Sequence, residues 1–439
     1  MGVKSPRSPI IRHSSPCCLI TFWFFGNSNE PTFLFIIKRS FLSYLSHLYN
    51  HYKMRSFLNP QNPHPIPQPP AGLNGSAFDN VVHATDRIDQ IHSVVFLFIL
   101  FFLAILSARG QWVYGLGLWS FMLVDWLLVA LLPRLRRSFG PAKPPTLLLA
   151  ILRCFFGLLP LDISLILQFI GTFLVIYSFY YEPLNIRITH QKLTSSKIQS
   201  PGTLKLMHLG DLHIERFTGR ETQIQAIIDE QKPDLILFSG DVLNLSYLND
   251  PEAWSAARKV ICRWKAPLGV YLVTGSPAVD LPENMPGLLN ELPIIWLQDE
   301  TKTIIFNNSQ INITGLSCTH YPAKDSARLE KLISNAQNHF TILLHHSPDL
   351  APDASRFPID LQLSGHTHGG QVRLPFFGAI FTASIYGKRF ESGRYQVGDM
   401  VLYVTRGLGL EGAGMPRIRF LCQPEVILWE ISAEIMGKS

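Results

Sequence analysis

The sequence is poor in cysteine, and the few cysteines that it has are not paired. No CxxC pair and no regular spacing occurs among the six, which stand at positions 17, 18, 154, 262, 318 and 422. A small fold held together by disulfides is therefore excluded, because such folds show a dense and regular set of cysteines. The pattern predicts reduced thiols, which favours a cytosolic compartment.

A basic stripe interleaved with aromatic residues is also missing. The net charge is +6, and a positive excess can indicate a nucleic-acid partner. Here, however, the extra lysines and arginines lie largely beside long apolar segments, where positive flanks orient membrane helices. We therefore expect no nucleic-acid partner. Hydrophobic residues make up 47% of the chain and the mean hydropathy is +0.17, so part of the chain is predicted to lie in a membrane.

A signal peptide is not recognisable at the amino terminus. Residues 1–53 hold two short apolar patches, LITFWFF and FLFII, with no clean cleavage site after them. Neither patch is long enough to cross a bilayer. Met54 begins a stretch rich in proline and asparagine, 54–90, whose composition is typical of a flexible segment. We therefore interpret 1–53 as an uncertain extension and expect translation to begin at Met54, which the intact mass of the purified protein tests.

Four long apolar runs follow between residues 91 and 182. They are SVVFLFILFFLAILSA, WVYGLGLWSFMLVDWLLVALL, TLLLAILRCFFGLLP and ISLILQFIGTFLVIYSFYY. The second and fourth approach the ~20 apolar residues that a bilayer needs, whereas the first and third are shorter. Positive residues cluster after the second and the fourth run. This asymmetry predicts about four transmembrane helices with both ends inside, and so a multi-pass protein of the cell membrane whose remaining domain faces the cytoplasm.

Other interpretations of this region stay open. If the third run is only an interfacial helix, the number of spans changes and the rest of the chain lies outside. A pair of buried core helices is the interpretation without a membrane. A transporter or channel is disfavoured, because the one central charge that we recognise in the runs is Arg153, without a paired acidic residue. Arg153 is more simply a snorkelling side chain.

Residues 204–432 show the pattern of an α/β domain, reached through a polar linker at 183–203. Short apolar runs that predict strands alternate with runs of helical periodicity. The predicted strands include LKLMHL, DLILFS, GVYLVTG, FTILLHH, DLQLSGH and MVLYVTRG. Thr218 and Glu221 have the spacing of a capping box at the start of the first helix.

Residue types that bind metal ions gather at the ends of these predicted strands. They are Asp211 and His213 in GDLH, Asp241 in SGD, His346 after FTILLH, and His366 and His368 in GHTH. In an extended backbone the pairs spaced i and i+2 leave on the same side, so that both side chains can hold one cation. Asp241 has two carboxylate oxygens, enough to bridge two cations. Mixed carboxylate and imidazole ligands suit Mn, Fe or Zn.

The repetition of these residues predicts hydrolysis of a phosphoester. One histidine at a strand end is more often a hydrogen-bonded core or surface residue, and one aspartate is usually a turn or a cap. Six such residues at successive strand ends favour metal binding over a structural role. Two divalent metal ions ~3.5–4 Å apart can hold a bridging hydroxide for in-line attack on phosphorus and neutralise the phosphate oxygens.

Four motifs in this order, GDLH, PDLILFSGD, LLHHSPD and GHTHGGQV, resemble those of the calcineurin-like metallophosphoesterase superfamily. With the ending YVTRGLGLEGAGMPRIRFLCQPEVILWEI, they are similar to its bacterial membrane-associated branch, which includes hydrolases of UDP-diacylglucosamine. The resemblance implies an α/β fold, a β-sandwich flanked by helices. It also implies two metal sites, the first held by Asp211, His213 and His368, the second by His346 and His366, with Asp241 as the bridge.

The stretch VTGSPAVD departs from the family pattern. In the family this strand ends in GNH, whose asparagine binds the second metal and whose histidine protonates the leaving oxygen or steadies the phosphate. This chain has Gly275, Ser276 and Pro277 there. Serine is a poor neutral ligand beside asparagine, and the side chain of proline neither donates nor accepts a hydrogen bond. Loss of a general acid typically lowers a rate by ~10²–10⁴.

Four further residues bear on this departure. Asp280 could supply the acid only through a rebuilt loop, and His320 is expected to be a loop histidine rather than a replacement ligand, although it could also substitute for the acid. His208 lies within a predicted strand and is expected to be structural. His345 occupies a position that is usually not a ligand.

The sequence thus predicts a membrane-anchored phosphoesterase that carries two divalent metal ions. A phosphodiester or pyrophosphate of a lipid or nucleotide fits, because an anchored site meets its substrates at the membrane surface. The alternative is a catalytically impaired homologue that binds metal and a phosphorylated lipid or a partner protein. Ser276 and Pro277 favour this alternative, whereas the six intact ligands favour hydrolysis.

Overall fold

The computed structural model of the chain describes residues 77–199, 201–333, 339–412 and 416–434. These residues all belong to the compact unit Pro67–Ser439. The predictions for 1–53, for a start at Met54 and for most of the stretch 54–90 fall on residues outside the described part.

Helices form the first part of the described chain. They are α1 (Ala77–Gln90), α2 (Ser93–Ser107), α3 (Trp112–Leu131), α4 (Lys143–Gly157) and α5 (Leu161–Ile176). Among the described residues, two helical segments are long and apolar enough to cross a membrane, Trp112–Leu131 and Leu161–Leu184. A third arises if Ala84–Gln90 and Ser93–Ser107, bent by 106°, count as one span. The two long segments coincide with the second and fourth predicted runs, whereas α4, with 15 residues, is too short to cross alone.

Arg153 is buried and paired, so the prediction of a snorkelling side chain without an acidic partner is wrong. Its guanidinium donates to both carboxylate oxygens of Asp125, over 2.5 and 2.7 Å. It also donates to Gln168 and to the hydroxyl of Thr172. The exposed fractions of Arg153 and Asp125 are 3% and 0%. A charge among apolar helices needs such partners, because water cannot solvate it there. The pair joins α3, α4 and α5.

Two six-stranded sheets and a small hairpin form the framework of the remaining described chain. The first sheet has the strand order β1-β14-β2-β3-β4-β5, the second has the order β12-β13-β9-β8-β7-β6, and β10 pairs with β11. The strands are β1 (Arg187–Ser195), β2 (Thr203–Leu209), β3 (Leu235–Phe238), β4 (Val270–Leu272), β5 (Ile295–Trp296), β6 (Glu300–Phe306), β7 (Ser309–Leu316), β8 (Phe340–His345), β9 (Leu361–Ser364), β10 (Arg373–Leu374), β11 (Gly378–Ala379), β12 (Gly393–Val397), β13 (Met400–Val404) and β14 (Glu425–Ala433).

Strand β1 lies within the segment 183–203 that was predicted as a polar linker. It pairs in parallel with β14 along its whole length, from Arg187 opposite Glu425 to Ser195 opposite Ala433. Its residues alternate between exposed and half-buried, as expected of an edge strand with one solvated face. The chain therefore enters the sheet directly after the last apolar helix.

The two sheets pack face to face, and helices cover their outer faces, as predicted. Leu206 and Trp429 of the first sheet share one buried core with Ile342 and Leu363 of the second. Separate apolar cores lie between each sheet and its covering helices. These helices are α6 (Gly219–Gln231), α7 (Pro251–Ile261) and α8 (Met285–Leu289) on the first sheet, and α9 (Pro322–Ile333) and α10 (Ala351–Ala354) on the second. The sandwich buries both faces of central strands such as β3, β8 and β9, which accounts for their continuous apolar runs in the sequence.

Helix α6 begins as predicted. The Thr218 hydroxyl accepts from the amide of Arg220, and the Glu221 carboxylate accepts from the amide of Thr218. This capping box satisfies amides that a helix start would otherwise leave free. It fixes the end of the loop that leaves β2.

Parallel pairing decides where the strand ends meet. Strands β2, β3 and β4 pair in parallel in the first sheet, and β7, β8 and β9 do so in the second. The carboxyl ends of parallel strands lie at one edge of a sheet, where ligands commonly bind. The loops that follow these strands therefore gather at one end of the sandwich.

Candidate metal centre

The six predicted ligands lie in these loops, close together. His366 is half-buried and the other five are buried. The prediction that the i and i+2 pairs share a side because the backbone is extended is wrong. Positive φ angles occur instead at five of the six ligands, Asp211, His213, Asp241, His366 and His368. Left-handed backbone in residues other than glycine is uncommon and gathers at functional sites. The side chains converge because the chain turns sharply at the end of each strand.

One group of ligand atoms comes from Asp211, His213, Asp241 and His368. Each residue offers an atom, and these four atoms all lie within 4.8 Å of one another. Nε2 of His213 lies 3.0 Å from Nε2 of His368, and the latter lies 3.8 Å from Oδ1 of Asp211. Oδ2 of Asp211 is buried and has no hydrogen-bond partner among the described residues. An unpaired buried carboxylate oxygen is costly, and a cation in this group would satisfy it.

Asp241 stands between this group and a second one. Its Oδ2 lies 3.5 Å from Nε2 of His213 and 3.2 Å from Nε2 of His346. The other ring nitrogen of His346, Nδ1, donates to the carbonyl oxygen of Ser239 over 2.8 Å. A histidine ligand is commonly oriented by such a bond, which directs Nε2 towards the metal. The geometry fits Asp241 as a shared ligand.

Ser276 lies against the second group of predicted ligands. The sequence had not predicted this contribution of the serine. Its hydroxyl oxygen lies 3.1 Å from Nε2 of His346, 3.2 Å from Oδ2 of Asp241 and 3.4 Å from Nδ1 of His366. The Ser276 hydroxyl therefore lies within 3.4 Å of an atom from each of three predicted ligands. The serine stands in the place of the family asparagine and reaches the same group of side chains.

The separations within both groups fit metal binding. Two nitrogen atoms bound to one cation at ~2.0–2.1 Å lie about 2.9–3.4 Å apart at bond angles of about 90–110°. The distance of 3.0 Å between His213 and His368 lies in this range, as do the 3.1 and 3.2 Å that separate Ser276 from His346 and Asp241. The donor set of imidazole, carboxylate and hydroxyl suits a divalent transition metal.

Comparison with known proteins supports this interpretation. A family profile described as calcineurin-like phosphoesterase matches residues 204–370. The uncharacterized metallophosphoesterase YkuE of Bacillus subtilis (strain 168) is 32% identical over 271 residues, which cover 58% of this chain and 89% of that protein. The chain belongs to the calcineurin-like metallophosphoesterase family. The resemblance inferred from the motifs is thereby confirmed.

Two further members of the metallophosphoesterase family have names that state an activity. The phosphodiesterase YaeI of Escherichia coli (strain K12) is 29% identical over 264 residues, covering 58% of this chain and 92% of that protein. The UDP-2,3-diacylglucosamine pyrophosphatase LpxG of Chlamydia trachomatis serovar D is 23% identical over 313 residues, covering 58% of this chain and 91% of that protein. Membership of this family supports a phosphoester hydrolase.

Burial and mutual charge set the pKa values in this metallophosphoesterase centre. Burial raises the pKa of Asp211 to about 6, although His346 opposes the shift. Burial alone would lower the pKa of His346, but the Asp241 carboxylate raises it to about 10. Burial opposes ionisation of Asp241, yet the charge of His346 and its hydrogen bond hold the pKa of Asp241 below its usual range. Burial and neighbouring histidines hold the pKa of His366 and His368 well below the usual range.

Asp280 joins the loops that carry Asp241 and Ser276. Its carboxylate accepts from three backbone amides, those of Gly275, Asp241 and Val242, over 2.7, 2.8 and 3.0 Å. It is 3% exposed. A β-carbon at position 275 would clash with Oδ1 of Asp241, so only glycine permits this close approach. Gly275 and Asp280 together place Ser276 against Asp241.

His320 lies beside the second group, in the loop after β7. Its ring centroid is 4.5 Å from that of His366 and 6.4 Å from that of His346. Its Nδ1 lies 3.7 Å from the sulfur of Cys318. The prediction of a loop histidine agrees with this position, but its proximity to the ligands was not expected. Burial and the charge of His346 lower the pKa of His320.

His208 and His345 lie outside both groups, as predicted. Nε2 of His208 bonds to the hydroxyl of Ser239 over 3.1 Å. Nδ1 of His345 donates to the carbonyl oxygen of Leu316 over 3.0 Å. Both histidines are buried within strands, and each has a structural hydrogen-bond partner.

Glu411 is an additional candidate ligand that sequence reasoning missed. Its Oε2 lies 3.5 Å from Nε2 of His368 and 3.9 Å from Nε2 of His213. The glycine-rich segment GLGLEG, 407–412, places this glutamate beside the first group. An acidic residue among glycines after a strand end was the available signal, because glycine allows close approach of the backbone.

A third cluster, Cys318, Asp325 and His345, also brings possible ligand atoms within 4.8 Å of one another. The Asp325 carboxylate already accepts from the amide and hydroxyl of Thr319 and from Arg328. It therefore ties the loop at Thr319 to the first turn of α9.

Proposed function

We propose that this protein is a membrane-anchored, metal-dependent phosphoesterase that hydrolyses a phosphodiester or pyrophosphate bond. The main support is the position of Asp241. Its Oδ2 stands between Nε2 of His213 at 3.5 Å and Nε2 of His346 at 3.2 Å, so that one carboxylate serves two groups of ligand atoms. Two divalent ions, of Mn, Fe or Zn, fit these groups.

The chain would hold the first ion through Asp211, His213 and His368 and the second through His346, His366 and Ser276, with Asp241 as the bridge. When bound, two such ions supply a water molecule of lowered pKa and neutralise the charge on phosphate oxygens. The Ser239 carbonyl orients His346, and the amide of His366 donates to Oδ1 of Asp211 over 2.8 Å. These bonds hold the ligands in place before a substrate arrives.

The leaving group is the main constraint on the substrate. Pro277 takes the place of the family histidine, and a proline side chain cannot donate a proton. A phosphodiester or pyrophosphate with a stable leaving group reacts without a strong acid. The names of YaeI, a phosphodiesterase, and LpxG, a pyrophosphatase, belong to these two classes. A phosphorylated lipid is therefore our preferred substrate class, and a nucleotide is the second.

The helical region supports anchoring. Residues 91–182 would form the membrane region, and residues 204–432 the catalytic domain on the cytoplasmic face. The support is the two long apolar segments, Trp112–Leu131 and Leu161–Leu184, and the positive residues that follow each of them. An enzyme placed at the membrane surface reaches lipid phosphates directly.

The alternative is a metal-binding homologue with impaired catalysis that binds a phosphorylated lipid or a partner protein. Pro277 favours it, because the general acid of the family is missing. The position of Ser276 favours the hydrolase, because the serine hydroxyl restores an oxygen to the second group of ligand atoms.

The test uses the full chain, purified in detergent and supplied with Mn²⁺. Metal content and hydrolysis of bis(p-nitrophenyl) phosphate are measured for the wild type and for Asp241→Asn. Asp360→Asn is the matched control, because Asp360 bonds to Lys197 and Thr341 at the other end of the sandwich. About two metal ions and turnover that Asp241→Asn loses but Asp360→Asn keeps would support the proposal. Wild type without bound metal would refute it.

A second variant separates the two candidate functions. Ser276→Asn/Pro277→His restores the residue types of the family motif. Metal binding without turnover in the wild type, with turnover in this variant, would establish the impaired homologue.

A further inference from the structure

A short hairpin beside the metal centre carries large apolar side chains into solvent. The apolar hairpin, residues 373–381, contains strands β10 and β11 and the sequence RLPFFGAIF. Five of its side chains are exposed, namely Leu374, Phe376, Phe377, Ile380 and Phe381. The exposed fraction of Phe376 is 112%, the value of a side chain with no covering neighbour. A cluster of this kind on a protein surface marks an interaction site.

The hairpin is held firmly at its base. Arg373 forms an ion pair with Glu391 at 2.8 Å, and the other oxygen of Glu391 accepts from the amide of Ala379 over 3.1 Å. Ala379 is fully buried. The backbone of the hairpin is thus fixed by these bonds, and it holds the apolar side chains at the tip in an outward direction.

The base of the hairpin adjoins the metal centre. His368 precedes Arg373 by five residues. The amide of Ile380 donates to the carbonyl oxygen of Val372 over 3.2 Å. A β-carbon at Gly370 would clash with Ala379, so the hairpin packs directly on the turn that follows His368.

The same base adjoins the end of the last apolar helical segment. The amide of Arg373 donates to the carbonyl oxygen of Phe420 over 2.9 Å, and the Phe420 ring meets the Tyr177 ring edge to face at 6.2 Å. Tyr177 also stacks on Tyr181 at 5.6 Å. Tyrosines at the end of a transmembrane segment commonly mark the level of the lipid headgroups. Phe376 is three residues from Arg373, about 10 Å of extended chain.

Positive charge accompanies the exposed rings. The ammonium group of Lys388 lies 3.5 Å from the centroid of the Phe377 ring, and Arg389 follows in the sequence. The negative charge of Glu391, which lies beside the hairpin, is neutralised by its ion pair with Arg373. Exposed aromatic side chains flanked by lysine and arginine are typical of surfaces that bind anionic lipid.

We propose that the apolar hairpin inserts its exposed side chains into an anionic lipid bilayer. The hairpin would enter at the level of the lipid headgroups, which Tyr177 marks at the end of the last apolar segment. A lipid phosphate in that bilayer would then reach the metal centre while its acyl chains stay in the hydrocarbon. This inference rests on the proposed membrane anchoring and deepens the proposed substrate class to a lipid held in the bilayer.

The test measures the depth of position 376 directly. The full chain, with Cys17, Cys18 and Cys262 changed to serine, receives Phe376→Cys and an NBD label. It is reconstituted in vesicles of phosphatidylcholine and phosphatidylglycerol, with and without doxyl-labelled phosphatidylcholine. The matched control is Asn308→Cys in the same background, because Asn308 is exposed in the turn between β6 and β7, at the opposite end of the sandwich. The same background without an added cysteine gives the contribution of the remaining thiols.

We expect at least twofold stronger quenching by the doxyl lipid at position 376 than at 308, with a blue-shifted emission. Equal quenching at the two positions would overturn the proposal. A blue shift that grows with protein density but is insensitive to the doxyl lipid would also overturn it and would indicate a second copy of the chain as the occupant.

Hydrolysis of bis(p-nitrophenyl) phosphate by Phe376→Ser/Phe381→Ser separates this proposal from the proposed function. Both side chains lie outside the two ligand groups, so turnover of this soluble ester and metal content stay at the wild-type level. If the wild type itself has no turnover, the hydrolase proposal fails, while the quenching result still decides the hairpin. Loss of metal from the double variant would contradict the separation of hairpin and metal centre.

Discussion

The hydroxyl oxygen of Ser276 lies 3.1 Å from Nε2 of His346, the separation expected of two ligands of one metal ion. The amide of Ser276 also donates to Oδ1 of Asp241 over 2.6 Å. This backbone hydrogen bond fixes the serine beside the carboxylate of Asp241. Its short side chain is therefore long enough to place the hydroxyl next to His346. A residue that looks like a loss in the sequence lies, in the fold, against two of the predicted ligands.

Removal of this hydroxyl should weaken the second metal site. Ser276→Ala is expected to lower the affinity for one of two Mn²⁺ ions by roughly 10–100-fold, the usual effect of losing a supporting polar group. Ser276→Asn should retain both ions. Isothermal titration of the apoprotein with Mn²⁺ measures the two affinities. Ser309→Ala is the control, since Ser309 is buried but bonds to Gln199 away from the site. Equal affinities in wild type and Ser276→Ala would remove serine from the ligand set.

Asp280 should be needed for the loop geometry, and its shape should matter more than its charge. Asp280→Ala leaves three buried amides without their acceptor, at about 1–3 kcal/mol for each unpaired group. We expect the Tm in detergent to fall by at least ~5 °C. Asp280→Asn keeps the shape and one acceptor oxygen, and it removes the repulsion from Asp241 that, with burial, raises the pKa of Asp280 to about 6. It should therefore unfold closer to wild type. Equal Tm values for Asp280→Ala and Asp280→Asn would show that the hydrogen bonds of Asp280 do not determine the stability.

Protonation of His208 in the unfolded chain should lower the free energy of unfolding as the pH falls below 6.5. Burial lowers its pKa to about 3, from the usual 6.5. The unfolded chain therefore takes up a proton at this residue below pH 6.5 and the folded chain does not, so stability is full above pH 6.5 and is lost as the pH falls towards 3. The loss is about 1.4 kcal/mol for each pH unit.

His208→Gln removes this titration and can keep a bond to Ser239. Between pH 7.5 and 5.5, in the presence of EDTA, its Tm should fall less than that of the wild type, by about 2–4 °C. A melting profile parallel to that of the wild type would show that His208 does not titrate on unfolding.

The ion pair of Asp125 and Arg153 should be costly to break from one side. Arg153→Met leaves a buried carboxylate without its partner, and we expect a loss of about 3–5 kcal/mol. The double variant Asp125→Leu/Arg153→Met removes both charges and should be more stable than the single one. Thermal unfolding in detergent compares the three proteins. A double variant less stable than Arg153→Met would mean that the pair contributes through contacts other than charge.

The sequence predicted the site through residue types, not through geometry. GDLH, SGD, LLHH and GHTH contain six side chains that do meet, because polar residues at the ends of parallel strands share an edge. The assumed extended backbone was wrong, since φ at Asp211 is 51° and at His213 is 42°. Local sequence does not reveal such turns unless glycine or asparagine marks them.

Contacts between distant residues account for what was missed. Strand β1 is polar and half-exposed, so its strand character depends on β14, more than 200 residues later. Asp125 was overlooked as the partner of Arg153 because the two are 28 residues apart on different helices. The placement of Ser276 depends on Asp280 and Gly275 acting together, which no spacing rule encodes.

The pairing of β1 with β14 has a consequence for release of the soluble part. A cut after Ser195 would strip β14 of its outer neighbour and expose a row of free amides and carbonyls along Glu425–Ala433. Such an edge is a template on which other chains add strands and aggregate. A proteolytic fragment that remains monomeric must therefore begin no later than Arg187. Strand β1 thus also protects the edge of β14 from pairing with a second chain.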